Sequence, residues 1–327
     1  MTPGEALDRA FELAARGPKH GPNPRVGCVI LGPGGELLGE GWHQGAGTPH
    51  AEVAALADAA ARARDPRGAT AYATLEPCNH QGRTGPCSHA IVEAGLKRVV
   101  YALTDPNPQA SGGAHYLADH GVEVEGDVDA PRGIALNRAW AHAVSLGRPY
   151  VTLKLASTLD GRAAAPDGSS QWITGPEARH HAHQRRAEAD AVVVGTGTFL
   201  ADRPRLTARR EDGSQYPRQP LRVVVGEREI GDAGYLQIAS HCPSQVLRVL
   251  ADREVRHVLL EGGPTLAAAF ARAGLVDEVH LYLAPALLGG GLASVGRLGI
   301  ESVDQALRWR TRDVERVGND VFVEVGR

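Results

Sequence analysis

One pattern limits what this chain can fold into: His50-Ala51-Glu52, answered downstream by Cys78 in Glu76-Pro77-Cys78 and by Cys87 in Pro86-Cys87. A histidine and two cysteines form a donor set for zinc, which prefers tetrahedral nitrogen and sulfur ligands. A catalytic zinc site keeps one position open for water, so three protein ligands suffice. Glu52 is a carboxylate outside that set, placed to carry the proton of a water made acidic by the metal. The reading predicts His50 at the start of one helix and Cys87 at the start of another. Helix N-termini favour thiolates through free N–H groups and the helix dipole. A structural zinc would need a fourth protein ligand, for which His80 and His89 are the nearby candidates.

Two domains of ordinary size suit the 327 residues, and 43% hydrophobic residues suffice for two cores. The formal net charge of −3 gives no electrostatic case for a nucleic-acid partner. No run of 18 apolar residues predicts a membrane span. Residues 1–17 carry acids and read as a capped helix rather than a signal peptide, with Thr2 as N-cap, Pro3 first and Glu5 three residues on. Cys28 and Cys242 stand alone. The cysteines therefore give no disulfide framework, and a reducing cytoplasm is expected.

Strands and helices are predicted to alternate, as in an α/β layered domain. In the first half, strands are expected at 26–31, 36–43, 69–75, 97–103 and 122–124. Helices are expected at 51–64, from Cys87 to Gly95, at 114–120 and at 131–144. Gly147-Arg148-Pro149 is the expected boundary, giving domains 1–147 and 148–327. The second half predicts strands at 150–156, 191–194, 221–225, 257–260, 278–284 and 320–325, with helices at 176–189, 244–252 and 264–273. Gly195-Thr-Gly-Thr198 reads as a turn.

The order His-x-Glu followed by Pro-Cys and a second cysteine is that of zinc nucleobase deaminases, but here eight residues separate the cysteines. With Asn23-Pro-Arg-Val-Gly27 and Glu76-Pro-Cys78-Asn-His80-Gln-Gly-Arg83-Thr84-Gly-Pro86-Cys87, the chain strongly resembles the bifunctional deaminase–reductases of riboflavin biosynthesis. Asp105-Pro-Asn-Pro108 resembles a loop of that family. The resemblance implies a cytidine-deaminase-like α/β/α domain with one catalytic zinc. It makes the insertion with His80, Arg83 and Thr84 a substrate-recognition loop. Asn23 would read the pyrimidine edge, since an amide offers both donor and acceptor.

Lys154-Leu-Ala156-Ser-Thr-Leu-Asp160-Gly-Arg162 and Ser170-Gln-Trp172-Ile-Thr174 extend the resemblance to a reductase domain similar to dihydrofolate reductase, using NADPH. Taken alone, Glu261-Gly-Gly-Pro-Thr265 fits both a phosphate-binding helix start and a simple tight turn. Arg186 and Arg209 match a 5′-phosphate bidentately. The resemblance implies substrate contacts at Lys154, Ser170, Arg186, Leu206, Arg209 and Glu261. It implies NADPH contacts at Ala156, Trp172, Thr198, Asp202, Gly263, Pro264 and Thr265. Lys154 and Asp202 are the ionisable candidates near the reacting ribose. The chain departs from the family between Val225 and Gln245, where it is shorter, and at Gly226, where an Asp is common.

The implied activity is deamination of a phosphorylated pyrimidine, then reduction of its ribose by a homo-oligomeric enzyme. The alternatives are a deaminase of a free base or nucleoside with an inactive second domain, and a zinc-stabilised nucleic-acid-binding protein, against which the net charge argues.

Overall fold

The first helix, α1 (Pro3–Ala15), starts from a reciprocal cap: the Thr2 hydroxyl accepts from Glu5 N, and the Glu5 carboxylate accepts from Thr2 N at 2.8 Å. A computed structural model describes residues 1–81 and 85–327. Arg83 and Thr84 of the expected recognition loop lie outside the described residues. The chain separates into two compact units, Met1–Gly147 and Arg148–Arg327.

In the first unit α1 is followed by β1 (Gly27–Leu31), β2 (Leu37–Trp42), α2 (Ala51–Ala61), β3 (Thr70–Ala73), α3 (Cys87–Glu93), β4 (Arg98–Tyr101), α4 (Gly113–Asp119) and β5 (Glu123–Glu125). The sheet order is β2-β1-β3-β4-β5, with β1 antiparallel to both neighbours and β3, β4 and β5 parallel. Every residue of β1 is buried because both of its faces are covered. Cys28 and Ile30 pack with Ala51, Ala55 and Ala59 of α2, while Val29 and Leu31 pack with Ala6, Ala10 and Leu13 of α1. Small residues let α2 lie close on β2: a Cβ on Gly39 would stand 2.2 Å from the Ala55 carbonyl oxygen.

The single helix expected at 131–144 is two helices, α5 (Ala130–Leu136) and α6 (Arg138–Leu146). Asn137 breaks it. Its side chain accepts from Arg25 N and donates to Arg25 O, both at 2.8 Å, so the amide ties the loop before β1. Local side-chain hydrogen bonding of this kind competes with helix continuation.

The second unit contains β6 (Tyr150–Thr158), β7 (Arg162–Ala164), α7 (Pro176–Glu188), β8 (Ala191–Gly195), α8 (Thr196–Asp202), β9 (Leu221–Val225) and β10 (Leu236–Ile238). It continues with α9 (Pro243–Ala251), β11 (His257–Leu260), α10 (Pro264–Arg272), β12 (Glu278–Ala284), β13 (Leu292–Ala293), β14 (Arg310–Val317) and β15 (Asp320–Gly326). Eight strands make one sheet in the order β10-β9-β8-β11-β6-β12-β15-β14. Strands β10 to β12 of that order are parallel, and β15 and β14 complete it antiparallel. Strands buried on both faces read as continuous apolar runs, which is why the β8, β9 and β11 segments stand out in the sequence.

Two expectations change here. Gly195-Thr-Gly-Thr198 is the entry to α8, a helix rather than a turn. Strands β7, β10, β13 and β14 were not foreseen. Strand β14 is an edge strand whose Arg-Thr-Arg-Asp-Val-Glu-Arg-Val sequence shows no apolar alternation, as exposed edges require.

Candidate active sites

His50 is the N-cap of α2, and Glu52 lies in that helix's first turn, buried at 4% exposure. Cys87 opens α3 behind Pro86, and its backbone N–H donates to Cys78 Sγ at 3.5 Å. His50 Nδ1 stands 3.4 Å from Cys78 Sγ and 3.3 Å from Cys87 Sγ. Tetrahedral zinc with bonds of about 2.3 Å to sulfur and 2.0–2.1 Å to nitrogen separates such donors by roughly 3.5 Å, so the set fits the ion. Among the described residues the cluster holds these three donors and no fourth. His80 is half-buried, and its Nδ1 has no hydrogen-bond partner there. His89 is exposed and stacks on Tyr116 with ring centroids 4.3 Å apart. Neither candidate for closing a structural site joins the cluster.

The Cys78 thiol is pulled well down, first by the hydrogen bond from the Cys87 side chain and then by His50, to about 4. Burial, and next the Cys78 thiolate, push the Glu52 carboxyl up.

Asn23 meets the site through His43. Its Nδ2 is 2.9 Å from His43 Nε2, and the His43 ring sets its edge against His50 at 5.3 Å between centroids. Sequence reasoning missed His43, and it also missed the task of Glu76. That carboxylate accepts from the backbone N–H groups of Asp105 at 3.1 Å, Gly112 at 3.3 Å and Ala114 at 3.0 Å. It thereby clamps the 105–114 loop against the Cys78 segment. Gly113 permits the approach, since a Cβ there would lie 1.7 Å from the Pro77 carbonyl oxygen.

In the second unit a cavity of about 2010 Å³ opens at the carboxyl ends of β6, β8, β9 and β11, the usual ligand position in a parallel sheet. Lys154, Ser170, Arg186, Leu206, Arg209 and Glu261 line it, together with Ala156, Trp172, Thr198, Asp202, Gly263, Pro264 and Thr265. Gly263 is the N-cap of α10 with no side-chain cap, and its N–H donates to Thr198 Oγ1 at 3.1 Å. An uncapped helix start beside glycines fits the pyrophosphate of a dinucleotide. Trp172 is 69% exposed, with the Arg179 guanidinium 4.4 Å from its ring centroid. Leu206 is buried with φ +52, a costly conformation of the sort that clusters at ligand sites.

Arg186 is paired within the chain. Its Nε and Nη2 donate to Glu261 at 2.6 and 2.8 Å, and its Nη1 donates to Thr207 O at 3.1 Å. Burial opposes the Glu261 charge, but Arg186 outweighs it, helped by Lys154, and the carboxyl falls to about 2. Burial pulls the Lys154 amine down, against the pull of Glu261. Arg209 Nε is buried and finds no acceptor among the described residues. His183, three residues before Arg186, also escaped the sequence reading. Its Nδ1 faces Thr207 O at 3.0 Å and its Nε2 faces Arg209 Nη2 at 3.4 Å.

Comparison with known proteins gives matching assignments for both halves. Residues 149–323 match the RibD C-terminal domain, and residues 2–103 match the cytidine and deoxycytidylate deaminase zinc-binding region. The riboflavin biosynthesis protein RibD of Mycobacterium tuberculosis is 47% identical over 331 residues, covering 98% of this chain and 95% of that protein. The structure of Acinetobacter baumannii RibD, form 1, superposes with a TM-score of 0.90 at 38% identity, covering 99% of this chain and 98% of the other. A diaminohydroxyphosphoribosylaminopyrimidine deaminase/5-amino-6-(5-phosphoribosylamino)uracil reductase from Thermotoga maritima superposes at 0.88 with 33% identity, with the same coverage.

Fold, donor set and cavity together define a bifunctional enzyme, a zinc-dependent deaminase joined to an NADPH-dependent reductase. The chain belongs to the RibD family of riboflavin biosynthesis.

Proposed function

We infer that residues 1–147 deaminate 2,5-diamino-6-(5-phosphoribosylamino)pyrimidin-4(3H)-one, and that residues 148–327 then reduce the product's ribose to a ribityl chain. The observation that carries this reading is the His50–Cys78–Cys87 cluster with the buried Glu52 two residues from its histidine. The Thermotoga maritima relative, a diaminohydroxyphosphoribosylaminopyrimidine deaminase, supports the substrate class.

A zinc ion held by His50, Cys78 and Cys87 would supply an acidified water and a Lewis acid. Glu52 takes the proton of the attacking water and returns it to the leaving nitrogen. A ring C–O bond forms, the C–N bond breaks and ammonia departs. Burial suits Glu52 to this, since it raises the carboxyl above its ordinary range and so makes it a stronger base for the water's proton. Asn23 reads the pyrimidine edge, and His80 contacts the substrate.

In the second unit NADPH, when bound, supplies a hydride to C1′. Lys154 supplies the accompanying proton. It is the more enclosed of the two ionisable candidates, half-buried, while Asp202 is exposed. Glu261, fixed by Arg186, orients Lys154 and the ribose. Arg209, with its unsatisfied buried Nε, takes the 5′-phosphate, and Ser170 and Leu206 complete the substrate wall. Ala156, Trp172, Thr198, Asp202, Gly263, Pro264 and Thr265 hold the cofactor.

For assembly we expect a homo-oligomer, since Leu287, Leu292 and Val303 of the second unit are 73, 52 and 78% exposed. Four free cysteines suit a reducing cytoplasm. No helix among the described residues is long and apolar enough to cross a membrane. Mass spectrometry of the pyrimidine after incubation with zinc-loaded protein tests the reading. An amine-to-oxo exchange without NADPH is expected, and an unchanged mass overturns it.

A further inference from the structure

We propose that His43 is a positioning residue for Asn23, holding its amide so that the carbonyl oxygen, and not the NH₂, faces the pyrimidine. The proposal rests on the deaminase reading above and deepens it.

Pro49 fixes the ring proton of His43. His43 Nδ1 lies 3.0 Å from the Pro49 carbonyl oxygen, which can only accept, so Nδ1 carries the ring proton. The ring is 4% exposed. A second ring proton would sit on Nε2, against the Asn23 NH₂, which can only donate, so Nε2 is bare and accepts. Asn23 Nδ2 stands 2.9 Å from it and donates. An amide pinned by its NH₂ turns its Oδ1 the other way.

The loop around the ring is also fixed. The Thr48 hydroxyl donates to Gly45 O at 2.8 Å and accepts from Gln44 N at 3.2 Å, closing the turn between His43 and the metal ligand His50. His43 and His50 meet edge-on with their rings 81° apart, so the His43 ring links the Asn23 amide to the ligand His50.

Orientation matters because rotating an amide by 180° exchanges donor for acceptor. With Oδ1 presented, Asn23 selects a ring edge that offers an N–H. With the NH₂ presented, it would select the opposite pattern. His43 thus sets specificity without touching the substrate.

The test is a double-mutant cycle on ammonia release. His43→Leu is expected to raise KM roughly tenfold with kcat changed by less than about threefold, the scale of one lost hydrogen bond. Zinc content should stay unchanged. Combining His43→Leu with Asn23→Ala should do no more than Asn23→Ala alone, because one acts through the other. His43→Gln, whose side-chain oxygen can accept from Asn23, should recover most of the affinity. Additive effects in the cycle, or His43→Gln behaving like His43→Leu, overturn the proposal.

Should His43→Leu lose zinc or fold poorly, the ring tautomer decides, and that needs no activity. In two-bond proton–nitrogen spectra of the full chain, the histidine signals missing from His43→Gln must show a protonated Nδ1 and a bare Nε2. A protonated Nε2 overturns the assignment. A wild-type chain that releases no ammonia counts against the deaminase reading, whereas an active wild type with an additive cycle counts against His43 alone.

Discussion

The Arg186 guanidinium closes on the Glu261 carboxylate through two hydrogen bonds, Nε to Oε1 at 2.6 Å and Nη2 to Oε2 at 2.8 Å. The pair joins α7 to the carboxyl end of β11, and both side chains are largely buried, at 17 and 8% exposure. Removing one partner of such a pair strands a buried charge. Arg186→Ala should therefore destabilise the second unit by about 3–5 kcal/mol. Denaturant titration measures this, and Arg186→Lys, which keeps the charge but not the fork, should fall between. Unchanged stability with a raised reductase KM would instead mean that Arg186 is a free phosphate ligand.

Glu261 and Lys154 each carry a pH effect. Glu261 falls from an ordinary 4.5 to about 2 in the folded chain. Its contribution to stability is thus complete above 4.5 and lost as pH drops towards 2, where the folded carboxylate finally takes its proton. Lys154 is shifted down by burial, so as an acid it loses its proton below the ordinary lysine range. Reductase kcat/KM should then decline on the alkaline side before pH 10.5, the unshifted value. A profile flat to that pH contradicts the role given to Lys154.

Glu52→Gln keeps the shape of the side chain and removes its proton chemistry. Ammonia release should fall by about 10²–10⁴-fold. Zinc content should be unchanged, as should reduction of added deaminated substrate. Cys87→Ser should instead lower zinc content together with activity. A Glu52→Gln chain with near-normal deamination would falsify the proton-shuttle assignment.

Arg209→Ala should raise the reductase KM at least about tenfold, the scale of a lost charge-assisted hydrogen bond to phosphate. Ammonia release should not change. Steady-state kinetics with a phosphorylated and a dephosphorylated substrate separates the effects, because the variant should no longer discriminate between them.

How much of this was legible in the sequence depends on how narrow each requirement is. Metal chemistry admits few residue types, so His50, Cys78, Cys87 and Glu52 could be read before any fold was known. The buried parallel strands could be read too, because burial on both faces demands unbroken apolar runs. Asn137 defeated the helix expectation because its partner, Arg25, is distant in sequence. α8 begins with Thr-Gly-Thr, which has little helix propensity, and its Phe199 is anchored by tertiary packing in the core. The positioning residues were hidden for the same reason. Nothing local marks His43 as Asn23's partner, or Arg186 as Glu261's, until the chain is folded.

On this reading, one chain performs two consecutive reactions on one phosphorylated pyrimidine. Ammonia release and NADPH oxidation followed together, on zinc-loaded protein with the diaminopyrimidine as sole substrate, test it most directly. One ammonia released and one NADPH consumed per substrate are expected, with ammonia first and no NADPH oxidation in the Glu52→Gln chain. Ammonia release with no NADPH oxidation, or NADPH oxidation that does not need prior deamination, would contradict it.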